Sequence, residues 1–201
     1  MKEISNLIAY RPDVRVVDAT LRDGGLVNDF YFTDEFVKAL YLANLRAGVD
    51  YMEFGYKSSK EMFDVNKFGK WKFCNDEDIR AVVGDNATDL KIAVMADVGR
   101  CDYKTDIIDR ADSPIDLIRV ATYLNAIPSA VQMIEDAAKK GYEVSCNIMA
   151  ISNSQEGELR AALEILAQTP VDVLYIVDSY GAMYPEQVAR LADLYVNIAV
   201  K

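Results

Sequence analysis

The sequence contains no histidine. That absence removes the usual general base near neutral pH and the commonest transition-metal ligand, so any acid–base or metal chemistry must come from other side chains. Cysteine is scarce as well. Cys74, Cys101 and Cys146 are odd in number, widely separated and without a CxxC pair, which excludes a zinc signature and a disulfide framework and fits reduced thiols. Cys146 lies in an apolar run and reads as core. Positive charge is also in deficit, with 22 Lys and Arg against 32 Asp and Glu and a net charge of -10. Nucleic acid and anionic membrane surfaces would repel such a chain, although a small anionic substrate can still meet a locally basic site. No run approaches the roughly 20 apolar residues that span a bilayer. The opening MKEISNLIAYRPD has no basic-then-apolar signal pattern, so the chain reads as cytoplasmic.

What remains is a chain of 201 residues, 51% apolar and 27% charged, long enough to bury a core and without a Pro- or Ser-rich linker. One domain over 1–201 is the expectation. Short apolar runs at Arg15–Ala19, Tyr51–Gly55, Lys91–Ala96, Asp116–Ala121, Glu143–Met149 and Asp172–Val177 predict strands. Most are continuously apolar rather than alternating, as in a parallel sheet covered by helices. Between them Asp34–Ala47, Asp76–Val83, Ala126–Lys140 and Glu156–Ala167 carry helical spacing, clearest in Ile127, Ala130, Val131, Ile134, Ala137 and Ala138. Gly48 and Gly141 mark helix ends that lead into strands. Pro185 and Glu186 suit the first turn of a last helix whose apolar face is Val188, Leu191, Ala192 and Tyr195.

About six βα units in a row make either an open doubly wound sheet or a closed barrel. No GxGxxG follows the first strand, which removes the best reason for the open sheet. Polar residues collect at strand ends instead: Arg22 and Asp23, Tyr56 and Lys57, Asp97 and Arg100, Thr122 and Tyr123, Asn147, Asp178 and Ser179. Barrel enzymes build their sites in that place. The expected fold is therefore α/β, a TIM (β/α)₈-type barrel of parallel strands left incomplete, since about 250 residues are typical of a closed one.

The most informative stretch is VVDATLRDGGLVNDF, residues 16–30. A buried strand delivers Asp18, Arg22 and Asp23 to its exit, ahead of an expected Gly24-Gly25 turn. A carboxylate there is a hard ligand suited to Mg²⁺ or Mn²⁺, and the adjacent guanidinium can hold an enolate or carboxylate oxygen. A structural Arg–Asp pair at the rim explains the same residues, and the residues alone leave both readings open.

Asp18-x-Thr20-Leu21-Arg22-Asp23-Gly24 resembles the signature of the DRE-TIM metallolyases, a superfamily that includes the 4-hydroxy-2-oxovalerate aldolases and 3-hydroxy-3-methylglutaryl-CoA lyases. Val177-Asp178-Ser179-Tyr180-Gly181-Ala182-Met183 is similar to a DSxGAM segment of those aldolases, and Ile118-Arg119-Val120-Ala121-Thr122 to their fourth strand. The resemblance implies a metal-dependent aldolase or lyase that binds a 2-oxo acid and makes or breaks a C–C bond through an enolate. It implies Asp23 as a metal ligand, Arg22 as the group that stabilises the enolate oxygen, and Thr122 and Ser179 as substrate contacts, with Asp18 second-tier or structural.

The departures are equally specific. The family completes its metal site with an HxH pair on a seventh strand, and nothing corresponding occurs here, so weak binding of Mn²⁺ or Mg²⁺ by this chain alone is expected. The family histidine after the RDG motif aligns with Leu26, and two more align with Tyr56 and Tyr123, which become the candidate proton carriers. An unperturbed tyrosine, with a pKa of about 10, serves at neutral pH as an acid more readily than as a base. Rim packing with the hydroxyl in water is the competing reading for both. Lys57 and Lys60, which would offer Schiff-base chemistry, read as an exposed loop. The segment 56–73 reads either as a lid or as an insertion held by Trp71 and Phe73.

Three functions follow: an enolate-forming enzyme on a small 2-oxo acid, a non-catalytic binding or assembly module on the same scaffold, and an open α/β binder. An incomplete barrel leaves strand edges and apolar surface uncovered, which predicts homo-oligomers.

Overall fold

The computed structural model describes residues 13–199, and the stretch 1–12 read above for a targeting signal lies outside them. Six strands form one sheet: β1 (Val17–Asp18), β2 (Tyr51–Tyr56), β3 (Lys91–Asp97), β4 (Leu117–Thr122), β5 (Glu143–Ile148) and β6 (Val173–Ile176). Every adjacent pair is parallel and the spatial order is the chain order, β1 to β6. A doubly wound sheet would reverse direction at a switch point. This one does not, which overturns the open-binder reading. Its inner face curls around a cavity of about 670 Å³ bounded by Val17 of β1 and by Val173 and Tyr175 of β6. The structure is an incomplete barrel with helices outside.

Those helices are α1 (Thr20–Asn28), α2 (Asp34–Ala47), α3 (Asp76–Val83), the short α4 (Tyr103–Asp106), α5 (Ile127–Lys139), α6 (Glu156–Leu166) and α7 (Pro185–Ala199). Thr33 caps α2 by accepting from the Phe36 amide at 3.3 Å, and Gly48 ends the helix at φ 71°, where a side chain would be strained. The period of two along each strand sorts the core. Met52, Phe54, Ile92, Val94, Ile118, Val120 and Val144 are buried with Leu21, Val37, Ile79, Ile134 and Leu163 between sheet and helices. Tyr51, Ala93 and Leu117 form a separate small cluster with Val17 on the inner face. Burying each aliphatic side chain fully contributes about 1.5–3 kcal/mol, so the outer layer dominates the stability.

One device recurs along the sheet. The aspartate just before β2, β4 and β6 accepts from a backbone amide at the start of the preceding strand: Val16 to Asp50, Ile92 to Asp116 and Val144 to Asp172, each at 2.8 Å. These carboxylates join strands in twos at the N-terminal rim, where amides would otherwise lack acceptors.

Two expectations need correction. Residues 20–28 are the helix α1, with no turn at Gly24-Gly25. Gly25 suits the helix because a Cβ there would come within 2.1 Å of the Phe30 ring, which packs across it. In α7 the expected face holds at Tyr195, buried with Leu194, and at Leu191, which packs against the core, but not at Val188, which is 41% exposed. No helix among the described residues is long and apolar enough to cross a membrane.

Candidate active site

At the C-terminal mouth of the sheet, α1 starts directly after β1 and carries Arg22 and Asp23 into the opening. Asp18 sets that start: its Oδ1 accepts from the Thr20 amide at 3.2 Å and its Oδ2 from the Thr20 hydroxyl at 2.9 Å. Asp18 thus braces the entry into α1. Arg22 donates from Nε to Oε2 of Glu53 at 2.9 Å and pairs through Nη1 with Asp23. Glu53 is fully buried in β2, and the same Oε2 also accepts from Nη1 of Arg119 in β4. The Arg119 guanidinium in turn lies 4.6 Å from the centre of the Tyr175 ring of β6. One carboxylate therefore holds two guanidinium groups on the inner face, and its Oε1 has no partner among the described residues.

Tyr56 ends β2 beside this network, 7% exposed, in edge contact with Phe30 at 5.6 Å. Burial pushes the Tyr56 hydroxyl above its ordinary pKa, with Asp97 and Glu53 adding to the rise and Arg22 opposing it. Tyr56 is consequently a neutral hydrogen-bond donor, not a base. Asp97, at the end of β3, is raised by burial too, although Arg100, Lys72 and Arg22 oppose the shift. Its Oδ1 is buried without a hydrogen-bond partner among the described residues, and its Oδ2 lies 3.9 Å from Arg100 Nη1.

The remaining expected residues do not join this group. Tyr123 is 52% exposed. Thr122 is buried and its hydroxyl donates to the Tyr123 carbonyl at 3.1 Å, and strand alternation places it with Ile118 and Val120 toward the helices. Ser179 Oγ accepts from the Ala150 amide at 2.8 Å, linking the loops that leave β5 and β6. Lys57 is not exposed as expected: it is 4% exposed and paired with Asp76 at 2.6 Å, whereas Lys60 is exposed. The segment after β2 is anchored by Trp71, fully buried at 5.4 Å from the Phe54 ring, and by the Gly69 amide donating to the Asp29 carbonyl at 2.8 Å. Cys146 is buried, and burial pushes its thiol up to about 12, which suits a core residue.

Sequence reasoning assigned no role to Glu53, Arg119 or Lys72. The signal was present for the first two as a lone charge inside an apolar strand, in Tyr-Met-Glu-Phe and Ile-Arg-Val.

The HMGL-like family profile matches residues 13–199. The chain belongs to the HMGL-like family. The 4-hydroxy-2-oxovalerate aldolase 1 of Rhodococcus erythropolis is 31% identical over 185 residues, 92% of this chain and 52% of the relative. The 4-hydroxy-2-oxovalerate aldolase 2 of Mycobacterium ulcerans is 29% identical over 187 residues, 92% of this chain and 53% of the relative. The chain spans about half the length of the curated relatives it matches. Among solved structures, the N-terminal domain of a candidate aldolase from Bacteroides vulgatus superposes with a TM-score of 0.76 at 24% identity, over 92% of this chain and 60% of that one. The HMG-CoA lyase of Brucella melitensis gives 0.67 at 16% identity, over 93% and 69%. At these identities the two structures speak for the fold alone.

An HMGL-like site is expected to hold a divalent metal, and the described residues do not complete one. Asp23 has a side chain 63% exposed and paired with Arg22, and no group of three or more Cys, Asp or Glu side chains among the described residues is placed to hold an ion. A hard divalent cation wants several oxygens, and Asp23 offers one carboxylate.

Proposed function

We propose that this HMGL-like chain is the enolate-stabilising part of an aldolase or lyase acting on a small 2-oxo acid. The observation that carries this reading is Arg22, held at the mouth by the fully buried Glu53. A guanidinium fixed by a carboxylate behind it needs no reorganisation when an oxyanion develops in front of it, which is the arrangement that lowers a barrier most. Tyr56, kept neutral by burial beside Arg22, supplies a second donor to the same oxygen. Asp97, at the end of β3 with its pKa raised by burial, is the group assigned to exchange a proton with the substrate carbon. The fit of the residues does not support a step through a metal on this chain alone, and none is assigned; Asp23 would contribute one ligand to a site completed elsewhere.

Within the same reading, residues 13–199 belong to one barrel domain of a cytoplasmic protein, and copies of the chain associate through the uncovered β6 side. Light scattering over a dilution series tests the association, and a monomer at all concentrations overturns it. A second reading, a non-catalytic scaffold, is favoured by the absence of histidine from the sequence. Calorimetric titration of oxalate, an enolate mimic, with and without Mn²⁺, decides between them. The enzyme reading expects binding that falls at least about tenfold, or about 1.4 kcal/mol, in Arg22→Met. Equal binding in the variant, or none in either protein, favours the scaffold.

A further inference from the structure

Lys72 is the charged group of the mouth that the proposed chemistry leaves unused. It ends the short turn Lys70–Lys72 and is 6% exposed. Among the described residues its ammonium makes no ion pair and no hydrogen bond; four rings surround it, Phe63 at 4.4 Å, Tyr56 at 4.6 Å, Phe30 at 5.1 Å and Phe68 at 5.7 Å from Nζ. The cage is built in. Phe30 occupies the left-handed region at φ 65°, which non-glycine residues rarely adopt, and its ring fills the space that Gly25 leaves open. Ring faces attract a cation but offer no strong acceptor, so the ammonium keeps its donors free for water or a ligand.

The cations around it are paired. Arg22 and Arg119 share Glu53, and Arg22 also meets Asp23. Asp97 faces Arg100 and feels Lys72 only at longer range. Arg22, Arg100 and Arg119 each have a carboxylate partner in Glu53, Asp23 or Asp97, and Lys72 is the cation of the mouth without one among the described residues. Such a cation attracts a small anion. Tyr56 fixes the spacing: its ring contacts the Lys72 ammonium while its hydroxyl lies against Arg22. A molecule bearing a carboxylate next to a carbonyl needs two adjacent sets of donors of this kind.

We propose that Lys72 anchors a small carboxylate at the mouth, with the carbonyl oxygen of the same molecule directed to Arg22 and Tyr56. The ligand's identity as a 2-oxo acid rests on the function proposed above; the carboxylate site does not. Burial lowers the pKa of Lys72, against the pull of Asp97, and an arriving anion restores the charged form.

The test is nitrogen NMR of the lysine ammonium groups in the full 201-residue chain, titrated separately with acetate and with pyruvate, and with the Lys72 signal assigned through Lys72→Arg. The expected result is a shift of the Lys72 signal by both anions, with pyruvate acting at about tenfold lower concentration. Lys72→Met, which keeps the stem in the cage, should weaken both at least about tenfold, and Lys72→Arg should retain most of the binding. Should Lys72→Met not fold, the wild-type shift and the arginine variant carry the test. Pyruvate that binds without moving the Lys72 signal overturns the anchor and leaves the proposed function standing. A Lys72 response to both anions with no preference for pyruvate keeps the anchor and removes the 2-oxo acid. No response to either anion overturns the proposal.

Discussion

The two sides of the sheet are built differently. In β2 and β4, each flanked by strands on both sides, every residue is buried, and the polar groups between them are paired: Glu53 with Arg22 and Arg119. In β6, which pairs with β5 alone among the described residues, no residue is fully buried, and a groove of about 590 Å³ runs between it and α7. Among the described residues Ser145 Oγ, Asn147 Oδ1 and Asp178 Oδ1 on that side have no hydrogen-bond partner, and neither have Glu53 Oε1, Arg119 Nε and Asp97 Oδ1 on the other. A parallel strand is buried by its neighbours on both edges and by helices on its face. With one neighbour among the described residues, β6 is less buried than the strands paired on both edges. The candidate site draws its support from β2 and β4, where Glu53 holds both Arg22 and Arg119.

Substitution at the two sides should expose this contrast most strongly at Glu53. Glu53→Ala leaves two guanidinium groups without their carboxylate and should lose about 3–5 kcal/mol in urea unfolding. Ser145→Ala, also fully buried but unpaired, should stay within about 1 kcal/mol of wild type. Equal losses at the two positions would remove the distinction between the sides.

Next in size is Gly55→Ala. A Cβ at Gly55 would lie 2.0 Å from the Trp71 carbonyl, a backbone atom that cannot swing away, so a loss of about 1–3 kcal/mol or more is expected in thermal unfolding. Gly181, after β6, has open space around it and only a left-handed φ of 61°. Gly181→Ala should cost about 1 kcal/mol.

Asp97→Asn tests the electrostatics of the mouth. A carboxyl whose folded pKa lies above its unfolded value favours the fold below about pH 4 and loses that contribution as pH rises through the folded value. Wild type should therefore become less stable across that rise while Asp97→Asn does not. The variant should be more stable at pH 7 by on the order of 1 kcal/mol, and the gap should close as pH falls toward 4. A gap that is independent of pH would show that the folded pKa of Asp97 is not raised. The smallest effect on stability is expected for Val196→Ser in the groove beside β6. Val196 is 57% exposed, so stability should move by no more than about 0.5 kcal/mol, while light scattering should show weaker association.

Much of this was legible beforehand. The spacing of apolar residues places α2 and α3 at their observed bounds and the six strands within a few residues. It also places Arg22, Asp23, Tyr56 and Asp97 at strand exits. The helix at residues 20–28 was not legible, because Gly24-Gly25 reads locally as a turn and only the Phe30 ring, packed from outside the helix, explains Gly25. Nor was the site's support. Glu53 lies 31 residues from Arg22 and 66 from Arg119, and no local rule pairs them.

Hydrophobic periodicity is a local property, so the sequence by itself determined the order of strands and helices, the face each helix buries and the rim to which polar residues go. Which polar groups meet at that rim is decided by the curl of the sheet and the packing of α1 and of the segment after β2 against it. Arg22 became a fixed guanidinium, Thr122 a buried residue facing the helices and Lys72 a caged cation only when distant segments closed on one another, because burial and pairing depend on three-dimensional neighbours that the linear pattern does not name.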